Sequence, residues 1–390
     1  MRPVAFINAD MRTDGPEVLR IHDSRIIGRT DRPLPGDLIV DLDGDRLLPG
    51  LINAHDHLQL NGFPEPEYGR RYRNAGEWIA DFNTRVSARN DFVASRAISR
   101  DERLLQGGFK NLLSGVTTVA HHDPLYPGLT SETYPTRVVE RYGWSHSLGV
   151  DADERVRRSY LDTPRDVPWI IHAAEGIDEV AATELDRLEA LGCVGPNTVL
   201  VHGVALDERR RERLAAADAA LIWCPTSNLR LFGATADIAT LVKLGRVALG
   251  TDSRLTGARD LLDELHMAAQ IGALDEETLE SLVTDRAARV LRLQGTGVLS
   301  AGARADLLVL SHGVSLSRAS RKDVRLVMSG GVMRYGDRGY AQLMMPESLQ
   351  VDVRVDDSMK VMDRRVAAPL AAGIAPEIGV ELLSMRGRAA

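Results

Sequence analysis

Apolar and polar positions alternate along this chain in two textures. Residues 1 to about 50 read as short strands cut by turns: VAFINA, EVLRIHD, RIIGRT and DLIVDLDG, separated by Asp-Gly, Pro-Gly and Gly-Asp. The same texture returns beyond Gly295 in ADLLVL, VRLVMSGG, VMRYG and LQVDVRV. In the last of these Leu349, Val351 and Val353 alternate with Gln350, Asp352 and Arg354, the mark of a half-buried strand. Between the two flanks, short apolar runs alternate with longer helical patterns, which signals βα units and a parallel sheet. Strands are predicted at 48–55, Val116–Ala120, one or two within 136–148, Trp169–His172, Thr198–His202, Ala220–Trp223 and Val247–Gly250. Helices are predicted over IDEVAATELDRLEALG, ERRRERLAAADA, 258–271 and 275–292, with a last one at 357–371. The stretch between His122 and His172 must hold strands three and four with their helices. Crossovers of at least ~10–12 residues make that tight, so one unit is expected to be degenerate.

These textures divide the chain into 1–50 and 295–355, two parts of one composite β unit, a 51–294 α/β unit, and a 356–390 helix and tail. Neither flank is long enough for a core of its own, so the two are expected to fold together.

Composition mainly excludes. Hydrophobic residues make up 44% and charged residues 26%, ordinary values for a globular enzyme. A net charge of −7 argues against nucleic acid or an anionic membrane as partner. The arginine-rich run Glu208–Arg213 is interleaved with glutamate and reads as a solvated helix face. The N-terminus has no apolar signal-like core, and no stretch reaches the ~18 apolar residues of a membrane span, so a cytoplasmic location is expected. Cys193 and Cys224 form no C-x-x-C pair, which leaves no disulfide framework or thiolate metal site.

The chemistry lies at the strand ends. Seven of the ten histidines fall where apolar runs stop. In LLPGLINAHDHLQL, strand alternation puts His55 and His57 on one face and Asp56 on the other, so two imidazoles can close on one ion. PWIIHAAEG supplies His172 and Glu175, TVLVHGVAL supplies His202, and RVALGTDSRL supplies Asp252. In parallel βα folds the working residues gather at the carboxyl ends of strands. A lone histidine ending a core strand is ordinarily a hydrogen-bonded structural residue, and the ordered set is what carries the reading. Three imidazoles and a carboxylate suit a borderline divalent ion such as zinc, with a position left for water.

The stretches PGLINAHDH, SGVTTVA, IHAAEG, VHGVAL, WCPTSNLRL, LGTDS and ADLLVL, covering nearly residues 1–340, resemble the amidohydrolase superfamily. The resemblance is to its mononuclear deaminase and chlorohydrolase branch, which holds cytosine- and guanine-type deaminases and triazine hydrolases. It implies a (β/α)8 TIM-like barrel with a small β-sandwich domain built from both chain ends. By the same resemblance His55, His57, His172 and Asp252 bind the metal, Glu175 shuttles protons, and His202 touches the hydroxide or the substrate, with Asp252 also orienting the hydroxide. Two-metal members bridge their ions with a carboxylated lysine. Here Lys110 falls in a helix before strand two, Lys243 in the helix before strand eight, and Lys322 and Lys360 outside the barrel. One divalent ion per chain is therefore expected, zinc (Zn2+) first and iron (Fe2+) as the alternative.

The implied reaction is attack of a metal-bound hydroxide on a C–N bond, foremost hydrolytic deamination of an aminated heterocycle. Hydrolysis of an amide, ring or halide substituent at the same site is the alternative, and a non-catalytic binding protein on this fold a minor one. A small-molecule substrate is expected, no nucleic acid or membrane, with homo-oligomerisation left open. Relatives carry a Pro-His-x-Pro-Tyr-Thr type motif after strand four. Here only Trp144-Ser145-His146-Ser147 stands in that place, and His146 is the expected substitute as a substrate contact. His121 and His122, after strand two, are placed for the barrel mouth, one toward substrate and one into structure. Arg230 and Arg254, with Arg70 and Arg71, could draw an anionic or carbonyl-rich substrate, although a solvated surface is the plain reading of each. Cys224 reads as a small buried apolar residue, and Pro225, Ser227 and Asn228 as loop-shaping.

Overall fold

The computed structural model describes residues 2–385 except 13, 14, 16, 68 and 273. Among the described residues no helix is long and apolar enough to cross a membrane.

Eight parallel strands form the barrel: Leu51–Asp56, Val116–His121, Arg137–Val138, Gly143–Ser147, Trp169–Ala173, Thr198–His202, Ala220–Trp223 and Val247–Leu249. The last closes on the first where the backbone N–H groups of Thr251 and Asp252 both donate to the carbonyl of His55, at 3.0 and 3.1 Å. The tight third unit is the degenerate one. Its strand is two residues long, and only residues 139–142 separate it from strand four. Val139 N–H still bonds Val119 of strand two, while Gly143 N–H already bonds Pro168 before strand five. A parallel crossover needs a dozen or more residues. The chain instead steps sideways, and no ladder joins strands three and four among the described residues.

The run predicted as one strand at 48–55 is two. Arg46–Pro49 belongs to a seven-stranded antiparallel sheet, and Leu51 starts the barrel. They part at Gly50, where a Cβ would sit 2.4 Å from Thr117. Leu307–Leu310 pairs with Arg46–Pro49, so both ends of the chain build this sheet. Its side chains alternate by face as the pleat requires. Leu307, Val309, Leu326 and Met328 pack with Phe6, Leu19, Ile21, Ile26 and Val40 of a four-stranded sheet. Leu308, Leu310, Val324 and Val327 pack into the barrel core. Leu307–Leu310 is apolar without a break because it is buried on both faces.

Other expectations need correction. The helix predicted over 177–192 is two, Glu179–Ala182 and Glu184–Ala190; that over 275–292 is also two, Glu276–Ser281 and Asp285–Val290. The helix predicted at 357–371 is a strand, Ser358–Asp363, followed by a helix, Arg364–Ala371. The stretch taken as a loop in WCPTSNLRL is a helix, Pro225–Phe232, with proline in its first turn.

Candidate metal centre and active site

Barrel strand one is buried along its whole length, and its alternation delivers His55 and His57 together. His172, from strand five, meets them. Its Nε2 lies 3.2 Å from His57 Nε2 and 3.3 Å from His55 Nε2. Asp252 Oδ1, beyond strand eight, is 3.9 Å from both of those ring nitrogens. Four ligands at ~2.0–2.1 Å around a tetrahedral ion stand about 3.3 Å apart. The three imidazoles therefore already have the spacing of an ion-binding set, with the carboxylate slightly wide. Tautomers agree: His172 Nδ1–H donates to the His146 carbonyl at 2.7 Å, which leaves Nε2 free to ligate. His57 Nδ1 faces Asp123 at 3.5 Å. The described residues thus hold a site for a divalent metal.

His122 belongs to this cluster more closely than its sequence position suggested. Its ring stacks on His172 with centroids 4.3 Å apart, and one of its nitrogens lies within 4.8 Å of the ligand atoms of His55, His57 and His172. Its Nε2 is spent on the Ser145 carbonyl at 2.9 Å. His121 accepts from Leu58 N–H at 3.3 Å, and neither His121 nor His122 is among the residues lining the chamber, so the expectation that one of the two faces substrate is corrected.

Burial sets the charge states. It is the largest influence on His55 and His172, and pushes both well below the usual histidine value. Burial would raise Asp252, but His57 and His202, with hydroxyls from Thr256 and Ser227, hold it below the ordinary carboxylate range. Those hydroxyls donate to Oδ2 at 2.7 and 2.9 Å, and Ser253 N–H donates to Oδ1 at 2.8 Å. Glu175 goes the other way, pushed up to about 8 by burial and then by the charge of Asp252. Its Oε1 lies 3.7 Å from His202 Nε2. His202 donates Nδ1–H to Asn228 Oδ1 at 2.8 Å, and burial holds its pKa down. Three of the turns that aim these groups are strained: Ala174, His202 and Asp252 have φ of 53°, 74° and 55°.

Above the cluster is a chamber of about 200 Å³. His57, His172, Glu175, His202, Asp252 and His146 line it, under apolar walls from Leu60, Trp78, Ile79, Leu231 and Leu255. No arginine or lysine is among its lining residues. Arg254 turns away to Glu377, at 2.5 and 3.0 Å, and Arg230 to the Gly257 carbonyl and Glu65. Arg70 and Arg71 are exposed. Cys224 is buried and its thiol pushed far up by burial, which leaves it inert. Sequence reasoning missed Ser227, Asn228 and Thr256 as partners of the working residues, and Trp78 on a helix, Ala75–Thr84, that roofs the chamber.

A parallel barrel with imidazoles and a carboxylate converging at its carboxyl end, beside a buried glutamate, is the arrangement of a metal-dependent hydrolase, and the relatives below make it one that acts on carbon–nitrogen bonds other than peptide bonds. The chain belongs to the amidohydrolase family, whose model matches residues 160–334. A 5-methylthioadenosine/S-adenosylhomocysteine deaminase of Saccharophagus degradans is 31% identical over 330 residues, 70% of this chain and 72% of that protein. The protein of the same name from Halobacterium salinarum is 27% identical over 78% of this chain and 82% of its own. The structure of an adenosine deaminase from Xanthomonas campestris with bound zinc superposes with a TM-score of 0.70 at 19% identity, over 85% of this chain and 92% of that one.

Proposed function

We propose that this enzyme hydrolytically deaminates an uncharged aminated heterocycle, with one zinc ion held by His55, His57, His172 and Asp252. The carrying observation is the convergence of His55, His57, His172 and Asp252 at the floor of a chamber that Glu175 also lines, with burial pushing Glu175 up to about 8 and neighbouring histidines and hydroxyls holding Asp252 down. Environments that push two acids apart in this way assign them opposite roles. When bound, the ion supplies an activated water, lowering its pKa from about 15.7 to about 7. Asp252 would accept the proton of that water as its oxygen bonds to the ring carbon. Neutral His202 presents Nε2 toward Glu175, since its other nitrogen is committed to Asn228. The Glu175 carboxyl would give its proton to the amino nitrogen as its C–N bond breaks and ammonia leaves, and the proton taken up by Asp252 would restore Glu175. A chamber without arginine or lysine favours a neutral ring over the anionic substrate that Arg230 and Arg254 suggested. The deaminases among its relatives make aminopurines and their nucleosides the first compounds to try.

A panel of aminated purines and their nucleosides, pyrimidines, pterins and triazines, assayed for ammonia release, tests the reaction. Glu175→Gln keeps the shape but cannot cycle a proton, so a metal-replete variant should lose ~10²–10⁴ in turnover. Near-native turnover would move the proton transfer to His202, and release of other leaving groups without ammonia would overturn deamination.

A further inference from the structure

Below the chamber floor sits a charged side chain that the proposed chemistry does not use. Lys110, near the end of the helix Arg100–Leu113, is 0% exposed. Its Nζ lies 2.9 Å from Asn61 Oδ1, from Thr251 Oγ1 and from the carbonyl oxygen of Asp252, and 3.2 Å from Asp56 Oδ2. An ammonium has three protons to give, and here four oxygens surround it. A buried lysine is costly unless paired and fully hydrogen-bonded, and this well supplies both conditions.

The partners are informative. Asp56 stands between His55 and His57 at the end of strand one, and the Asp252 carbonyl lies just past the end of strand eight. The ammonium thus ties together the two strands that meet at the barrel seam. The carboxylate of Asp56 is further held by Asn61 and Asn111, at 2.8 and 2.9 Å. Asp252 itself has a left-handed backbone, φ 55°, so its carbonyl needs a fixed partner if its carboxylate is to stay aimed. Lys110 is not among the residues lining the chamber, and the hydrogen bonds and ion pair of its ammonium go to oxygens and not to the imidazoles.

We propose that Lys110 is a positioning residue of the metal centre: by fixing the Asp252 carbonyl to the strand that carries His55 and His57, it sets the Asp252 carboxylate against their imidazoles. The proposal rests on Asp252 being a metal ligand. Lys110→Met in the full chain should bind zinc 10–100-fold more weakly, the range seen when a ligand's supporting partner is lost, measured by competition with a chromophoric chelator. Lys360→Met is the control. Lys360 is also buried, with Nζ bonded to the Lys322 and Val324 carbonyls and Asp337 in the β-sheet region. Its loss should lower the melting temperature and leave zinc affinity unchanged. Native zinc affinity in Lys110→Met, or an equal loss in both variants, would overturn the proposal. Should Lys110→Met fail to fold, Lys110→Gln, which keeps polar donors but loses the ammonium's reach and charge, should weaken zinc severalfold, with native affinity again overturning it. Asp252→Ala separates the two levels. If it binds zinc normally, the ligand assignment falls and this inference with it; if it loses zinc while Lys110→Met does not, this inference alone falls.

Discussion

Asn228 accepts the Nδ1 proton of His202 and donates to Thr235 at 3.2 Å, so its own amide is held in one orientation. That contact decides which ring nitrogen of His202 faces Glu175. In Asn228→Ala the imidazole can move its proton to Nε2, and the group opposite the glutamic acid changes from acceptor to donor. Turnover should fall about 10–100-fold while zinc content stays native, as steady-state kinetics with metal analysis would show. Unchanged kinetics would remove Asn228 from the machinery. The histidines, Glu175 and Asp252 were legible in the sequence because imidazole and carboxylate at strand ends carry their own signal. Ser227, Asn228 and Thr256 were not, since amides and hydroxyls are common in loops and caps and nothing in their spacing points to Asp252 or His202.

Barrel strand three survives as two residues, yet one of them anchors the barrel to the seven-stranded sheet. Arg137 grips Asp306 with two bonds, at 2.6 and 3.0 Å. Asp306 is 2% exposed in its side chain, so Arg137→Met leaves a buried carboxylate with Gly330 N–H, at 2.7 Å, and a distant Arg304. Breaking a buried pair costs about 3–5 kcal/mol, and the partly open arginine brings the expectation down to about 2–3 kcal/mol. Denaturant unfolding would read this, and a loss below about 0.5 kcal/mol would show that the anchor does not matter. The elements that escaped the sequence did so for local reasons. Ser358–Asp363 pairs with Gln350–Val355 through Asp356 and Asp357, whose φ of 43° and 66° make the tight hairpin turn that Asn-Gly usually announces. Without that signal the second strand resembled a continuing helix. In the helix Pro225–Phe232, proline reads as a breaker unless it is recognised as a first-turn residue.

Across the whole molecule, the C-terminal stretch returns to the barrel. Glu377 is completely buried between Arg254 and Arg321, the latter also bound to Asp260. Arg254 lies just after Asp252, so the tail braces the loop that carries a proposed ligand. Burial alone would raise the Glu377 pKa, but Arg254 and Arg321 hold it below the ordinary range. The folded state therefore binds this proton less readily than the unfolded chain. Its contribution to stability is present above the unfolded value of about 4.3 and is lost as pH falls through the lower folded value. Glu377→Gln should lower stability at pH 7 and flatten the decline below about pH 4.3. Unfolding curves of the two proteins that run parallel down to pH 3 would contradict this. The tail carried no functional signal in the sequence because its role depends on partners far along the chain.

The sheet shared by both chain ends also sets a timetable for synthesis. The backbone N–H of His312 bonds the side chain of Asp45 across 267 residues, beside the pairing of Arg46–Pro49 with Leu307–Leu310. At ~5–20 residues per second, a ribosome needs roughly 10–50 s to deliver the second partner after the first. Throughout that interval Phe6, Leu19, Ile21 and Val40 have no opposing layer, and the edge of Arg46–Pro49 is open to strands of other nascent chains. The yield of folded enzyme should therefore depend on translation speed and on chaperones that shield the emerging N-terminal strands.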